Sequence, residues 1–368
     1  MRLPSLTGLR FWAALLVVLY HLSRQLGELP LLSPLVWYGR SGVTFFFVLS
    51  GYVLAWTYAG SPVWAAVFLR RRLARIWPLH ALTTLLSLAA YAAIGAALPL
   101  TAALWSVPLL HAWLPAAAKG GNPASWSLGD EAWFYLLFPL LLPLLAPLTA
   151  RRLRAVAVAC VLTGPLLWLA GAAVADPALR GWLLDYLPLT RTPQFLLGVV
   201  LGLAVRRGRV PRVPVLPAGL AVLGFHAALV PWHLAVPDSL WYSPWGASQL
   251  LAAPFFAALI VAAAQADLRG RAAFGQRVTV RLGEWSFAWY LVHEIAFRCW
   301  LAAYGRPTGG WWALLGAWLL LAGGSLAVAA ALFRYVERPV ERLLRGGPHR
   351  DARLPRPRRE SAGARQRA

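Results

Sequence analysis

The chain is too apolar and too weakly charged to be a water-soluble protein. Of its 368 residues 60% are hydrophobic and 13% are charged, with a net charge of +22, whereas soluble domains are about one-quarter charged. The apolar residues fall in blocks of roughly the 20 residues that a helix needs to cross a bilayer. The basic residues lie in short clusters between these blocks rather than on a polar domain, which argues against a nucleic-acid-binding protein.

Ten apolar segments follow one another along the chain. They cover residues 9–27, 35–59, 78–99, 132–149, 154–175, 192–205, 213–231, 246–265, 283–304 and 311–333. Basic clusters occupy alternate loops, at residues 2–10, 70–75, 151–154, 206–212 and 269–281 and after Phe333. Because positively charged loops stay in the cytoplasm, this pattern predicts an all-α, multi-pass protein of the cell membrane. It has about ten transmembrane helices and both termini in the cytoplasm.

Two further features complete this organisation. Residues 1–345 are predicted to form one membrane domain, and 346–368, rich in Arg, Gly and Pro, a disordered basic cytoplasmic tail that contacts anionic lipid. Segment 192–205 is short for a full crossing, so its helix is expected to begin near Trp182, with Asp185 and Arg191 facing a polar cavity. The proline-broken stretch 99–115 is expected to be interfacial or re-entrant.

The first span carries two ionisable residues on one face. Arg10 and His21 are eleven residues apart, almost three helical turns, and about 16 Å apart along the axis. Ionisable groups at bilayer depth are functional candidates, and the pKa of an ordinary histidine, about 6.5, suits a general base. A structural histidine that bonds to a neighbouring helix is an equally open interpretation of His21.

A basic run precedes the third span. Arg70, Arg71, Arg72 and Arg75 are typical of a positive-inside loop, but guanidinium groups also bind phosphate oxygens in pairs. If the run is helical, Arg72 and Arg75 share one face. The run is therefore a positive-inside loop, a phosphate clamp, or both.

Acidic residues open two other spans. Asp130 and Glu131 abut the fourth span, where they suit either a helix N-terminus or a functional role for Glu131, such as orienting His21 or binding an acceptor hydroxyl. In the ninth span Glu294 and Arg298 form an i,i+4 pair beside His293, which favours a structural polar network. Within residues 39–52, close helix packing explains Gly42, Ser50 and Gly51.

In this order the segments resemble the acyltransferase-3 family of integral-membrane O-acyltransferases, in its stand-alone form. The resemblance spans about residues 5–342 and rests on seven motifs. These are Leu6–Arg10 with His21, Phe45–Gly51, Arg71–Pro78, Trp126–Glu131 with Phe134 and Tyr135, Phe195–Gly198, Ser286–His293 and Glu337–Pro339. The sequence departs from the family at Thr7, Thr44, Ala132 and Glu294, and its motifs are most similar to members that acylate macrolide-type antibiotics.

The resemblance implies transfer of an acyl group, most often acetyl, from acyl-CoA to a hydroxyl of a sugar, cell-surface glycan or small molecule. It implies that His21 is the catalytic histidine and Arg10 its partner. Arg72 and Arg75 match the arginine pair associated with the donor, and Glu131 matches the acid after Trp-Ser-Leu. Acyl-CoA is then a co-substrate, bound by Arg72 and Arg75 with Arg70 and Arg71, and no resident cofactor or metal is expected.

Two other classes stay open from the residues alone. A transporter or flippase also has about ten spans and intramembrane charges, but the chain lacks an internal repeat. A lipid-binding scaffold or sensor explains the basic tail but not His21. The acceptor and the oligomeric state do not follow from the sequence.

Overall fold

A computed structural model describes residues 3–61, 63–96, 100–236 and 240–345. Within these ranges the chain is all-α and contains no strand. Its ten long helices are α1 (Pro4–Leu26), α2 (Gly42–Tyr58), α3 (Ala65–Ala93), α4 (Trp126–Leu145), α5 (Ala150–Ala170), α6 (Pro188–Arg206), α7 (Val215–Ala235), α8 (Ala253–Leu268), α9 (Arg277–Tyr304) and α10 (Gly310–Leu332). The predicted all-α membrane fold is thereby confirmed.

Nine helical stretches in the described ranges are long and apolar enough to cross a membrane, and they contain every long helix except α9. The exception is more polar, because α9 carries Arg281, Glu284, Glu294 and Arg298. It packs most extensively against α1 and then α10. Polar residues on α9 therefore face protein neighbours as well as membrane.

Short helices lead into several spans. Ser33–Val36 and the 3₁₀ turn Gly39–Ser41 precede α2, Pro177–Asp185 precedes α6, and Pro244–Leu251 precedes α8. Leu100–Ser106 and the 3₁₀ turn His111–Trp113 form the connection from α3 to α4. A π-helical turn, Phe333–Glu337, and the helix Arg338–Leu344 follow α10.

Close backbone contact joins α2 to α6. A Cβ added at Gly51 would lie 2.0 Å from the carbonyl oxygen of Phe195, so only glycine fits. Val48 of α2 meets Gly198 of α6, and one turn later along both helices Tyr52 meets Gly202, so these helices run parallel. The packing interpretation of the glycines in residues 39–52 is confirmed at this position.

A second glycine contact sets α1 against α9. A Cβ at Gly283 would lie 1.8 Å from the carbonyl oxygen of Thr7, and further along the same helices the rings of His21 and His293 are 5.1 Å apart. Spans one and nine are therefore parallel. This is required if successive spans cross the membrane in opposite directions, because both spans then have odd numbers in the series. Which side of the membrane is cytoplasmic stays a prediction.

Three local expectations need correction. The arginines at 70–75 do not form a loop, because α3 begins at Ala65 and contains all four. Asp130 and Glu131 are not in the first turn of their helix, because α4 begins at Trp126. The sixth long helix begins at Pro188, later than the expected start near Trp182, because Trp182 belongs to the separate helix Pro177–Asp185. The tail expected at residues 346–368 lies outside the described residues.

Packing alone does not explain the residues before α2, because Arg40 is part of a buried ionic cluster. An Nη of Arg40 lies 2.5 Å from a carboxylate oxygen of Asp185, and Arg191 donates two hydrogen bonds to the Asp185 carbonyl oxygen. All three residues are at most 7% exposed. Breaking such a buried pair is strongly destabilising, so the cluster ties the start of α2 to α6.

Candidate active site

A cavity of about 580 Å³ lies between the first halves of α1 and α9, nearly the whole length of α2 and parts of α3 and α4. This volume is within the range of small-molecule sites. Its walls combine charged groups with apolar and aromatic side chains, among them Phe46, Phe47, Trp56, Phe287 and Tyr290. The site is therefore suited to a ligand with both charged and apolar parts.

Three arginines line this cavity: Arg10 from α1, and Arg72 and Arg75 from α3. Arg72 and Arg75 are three residues apart in one helix, and both reach the cavity from the same face, as their spacing predicts. None of the three forms an ion pair with a described residue, and the Nε of Arg72 is buried without a hydrogen-bond partner there. Partly buried charges without partners are costly, so the cavity is prepared for an anionic ligand.

Glu131 faces the same cavity from α4. Its carboxylate accepts a hydrogen bond from the Tyr135 hydroxyl, one turn later in α4, and a longer one of 3.5 Å from Ser50 of α2. Arg10 and Arg75 lie within electrostatic range of this carboxylate. The acid is thus held by two hydroxyl groups in a cavity that three arginines and a second acid, Glu284, also line.

His21 lies beyond the cavity, where α1 and α9 continue side by side. Its half-buried ring contacts the fully buried ring of His293, and its Nδ1 is 3.3 Å from the side-chain nitrogen of Gln25. The Nδ1 of His293 lies 3.2 Å from the Trp289 carbonyl oxygen, and its buried Nε2 has no partner in the described chain. The acid that acts most strongly on His21 is Glu294, not Glu131.

A hydrogen-bonded pair lies at the end of the cavity nearest the histidines. The hydroxyl groups of Ser127 and Tyr290 are 2.9 Å apart, and both residues line the cavity. The Tyr290 ring is also 6.0 Å from the His293 ring. Tyr290 therefore contacts both the cavity and the histidine pair.

Four of the seven residues predicted for the site meet in one cavity: Arg10, Arg72, Arg75 and Glu131. The other three, His21, Arg70 and Arg71, are not part of its described lining. Arg70 instead donates a 3.2 Å hydrogen bond to the Arg345 carbonyl oxygen. The predicted pair Glu294–Arg298 is confirmed, at 2.6 Å.

Sequence reasoning assigned no catalytic or binding role to Ser50, Tyr135 or Tyr290. The four-residue spacing from Glu131 to Tyr135 is a signal that places both on one helix face. Nothing local to the sequence places Ser50 beside Glu131, because they belong to different helices that meet only in the fold.

The family model for the acyltransferase domain matches residues 3–334, which is nearly the whole described chain. The chain belongs to this acyltransferase family. Acyltransferase MdmB of Streptomyces mycarofaciens is 36% identical over 377 aligned positions, which cover 93% of this chain and 92% of that protein. No solved structure matches the chain.

Family membership agrees with the architecture. The matched region contains all ten long helices, the cavity arginines, Glu131 and both histidines of the α1–α9 contact. The protein is therefore a multi-pass membrane acyltransferase, and its charged cavity and the histidine pair of α1 and α9 lie within one matched domain.

Proposed function

We propose that this acyltransferase moves an acyl group, typically acetyl, from acyl-CoA to a hydroxyl of a carbohydrate, a cell-surface glycan or a macrolide-type small molecule. The observation that carries the proposal is that three arginines line one cavity and that none of them forms an ion pair with a described residue. CoA is a polyanion with a long, weakly polar arm, and arginine forks match phosphate oxygens in geometry and charge.

The donor lies along the cavity in this proposal. Arg72 and Arg75 bind the CoA phosphates, and Arg70 and Arg71 contribute contacts outside the cavity. The pantetheine arm follows the aromatic wall past Arg10 and the Ser127–Tyr290 pair. Because α1 rises about 16 Å from Arg10 to His21, this path delivers the thioester to the imidazole.

The chemical step is a direct transfer. The acceptor hydroxyl attacks the thioester carbonyl carbon while His21 removes its proton, so an ester C–O bond forms as the C–S bond breaks. The proton then passes from His21 to the departing thiolate, and free CoA leaves. A positioned general base of this kind is typically worth about 10²- to 10⁴-fold in rate.

Glu131 contributes on the donor side of the Ser127–Tyr290 pair. Its hydrogen bonds to Tyr135 and Ser50 fix the carboxylate, and its negative charge keeps Arg10 and Arg75 extended into the cavity. In this proposal Glu131 contributes to catalysis indirectly, because it holds Arg10 in position at the thioester. Among the acidic residues, Glu294 has the largest electrostatic effect on His21, the proposed general base.

Transfer is tested with purified protein in proteoliposomes, radiolabelled acetyl-CoA and separate panels of sugars and macrolides. We expect free CoA thiol to appear only with a suitable acceptor, with label recovered on that acceptor, and neither to appear with His21→Ala. Movement of an unmodified acceptor across the vesicle membrane, without thiol release, would favour a transporter instead.

A further inference from the structure

A second cavity, separate from the donor site, opens on the outer surface of the helical bundle. This groove of about 320 Å³ runs between α5, α6 and α8. Its walls are aliphatic, and they include Val158, Val161, Leu197, Leu201, Ala258 and Val261. Such a groove in the membrane-spanning part of the protein fits one hydrocarbon chain.

The groove has one apolar end and one end beside the chain's basic loops. Along α8 its lining extends from Pro254 to Val261, or about 10 Å of helix. Val210 and Val213, in the loop after α6, complete the lining at the Val261 end. The groove therefore accommodates the part of an acyl chain that is nearest a lipid headgroup.

Arginines surround only that loop end. Arg154 lies one turn before Val158 on the same face of α5, and Arg209 and Arg212 flank the lining residue Val210. All three are exposed and form no ion pair with a described residue. The segments 146–154 and 206–214 contain no acidic residue.

The basic loop is held in place at the groove. Buried Gln265 of α8 accepts a 2.9 Å hydrogen bond from the Val213 amide and donates bonds of 3.0 and 3.4 Å to the carbonyl oxygens of Pro211 and Val210. One side chain thus fixes the loop that carries Arg209 and Arg212. A positive-inside charge bias alone does not require such an attachment.

We propose that this groove is a binding site for an anionic phospholipid. One acyl chain lies between α5, α6 and α8, and the phosphate and anionic headgroup contact Arg154, Arg209 and Arg212. Charge complementarity selects an anionic lipid over a zwitterionic one, because the two segments that carry these arginines contain no acid. The site is independent of the acyl-transfer reaction.

Native mass spectrometry of the full-length, detergent-purified protein tests this site. Phosphatidylglycerol and phosphatidylcholine with identical chains are titrated against the wild type and Arg154→Gln/Arg212→Gln. A matched control, Arg269→Gln/Arg271→Gln, removes the same charge from exposed positions outside the groove. Two juxtamembrane arginines are together worth about 30-fold in affinity for an anionic lipid.

We expect the wild type and the control to retain phosphatidylglycerol in preference to phosphatidylcholine, and the groove variant to lose this preference. Ala258→Trp, which fills the groove and leaves every arginine in place, should lose the bound lipid as well. Equal binding of both lipids by the wild type would overturn the proposal. So would equal loss in the groove and control variants, or full retention in Ala258→Trp.

Discussion

Three arginine side chains define the chemistry of the main cavity. Arg10, Arg72 and Arg75 point into it without an ion pair, whereas Arg40 and Arg298 elsewhere in the membrane domain pair closely with Asp185 and Glu294. Leaving charges unpaired in a partly buried site costs stability, and such costs are typical of functional sites. The contrast within one chain therefore separates binding arginines from structural ones.

The histidine of α1 gives a first prediction at this scale. His21→Ala should reduce acyl transfer by at least about 10²-fold, because it removes the general base. It should leave CoA binding unchanged, since His21 lies outside the lining of the cavity. Turnover and CoA affinity are measured on the same preparations, and a full rate of transfer by His21→Ala would exclude the general-base role.

His293 gives a second prediction. If its Nδ1–H donates to the Trp289 carbonyl oxygen, its unpartnered Nε2 remains a hydrogen-bond acceptor beside the His21 ring. A hydrogen bond from His21 to this atom would fix the tautomer that leaves Nδ1 of His21 basic. His293→Phe should therefore lower kcat while the KM for the donor is unchanged. A rise in KM with unchanged kcat would contradict a positioning role.

Sequence reasoning reached some of these residues and not others. The i,i+3 spacing places Arg72 and Arg75 on one helix face, and periodicity places Arg10 and His21 on another. Local spacing cannot show that Asp185 pairs with Arg40, because 145 residues separate them and only the tertiary fold brings them together. It likewise assigned Ser50 to packing, although Ser50 contacts Glu131.

At the scale of elements, glycine contacts decide how closely helices approach. Gly51→Ala should destabilise the protein by about 1–3 kcal/mol, because the added methyl group would collide with the Phe195 carbonyl oxygen. Gly224→Ala in α7 is the matched control, since nothing lies within 4 Å of its added Cβ. Thermal unfolding in detergent compares the two, and equal melting temperatures would refute the close contact.

The hydrophobic blocks of the sequence predicted the existence of the helices better than the residues at which the helices begin and end. Each of the ten segments corresponds to a long helix, but α3 begins thirteen residues before the expected 78. The difference arises because four arginines lower the local hydropathy without interrupting a helix, and arginine is a good helix former. Charged residues in the sequence therefore show where the apolar part of a helix begins. They do not show where the helix itself begins, because that depends on backbone geometry.

For the whole molecule, helix directions agree with a simple alternation of spans. α1 is parallel to α9 and α2 is parallel to α6, as odd and even positions in the series require. The positive charge of alternate loops predicts which side of the membrane is cytoplasmic, because basic loops stay in the cytoplasm. With ten alternating spans, both ends of the membrane domain are predicted to lie on that side.

This topology is tested by cysteine labelling. In a background in which Cys160 and Cys299 are replaced by Ser, single cysteines are introduced as Lys119→Cys and Arg281→Cys. A membrane-impermeant thiol reagent should label the first variant in intact cells and the second only after lysis. Equal labelling of both variants in intact cells would contradict the predicted orientation.

The most direct test of the donor site is CoA binding to the purified protein. Wild type, Arg72→Gln/Arg75→Gln and Arg70→Gln/Arg71→Gln are compared by calorimetry; the second pair removes equal charge from α3 outside the cavity lining. We expect the wild type to bind CoA saturably. The cavity variant should lose about tenfold or more in affinity, because hydrogen bonds to charged groups are worth about 1.5–3 kcal/mol. The loss of affinity in Arg70→Gln/Arg71→Gln should be smaller. Absence of binding by folded wild type, or equal losses in both variants, would contradict the assignment of this cavity to acyl-CoA.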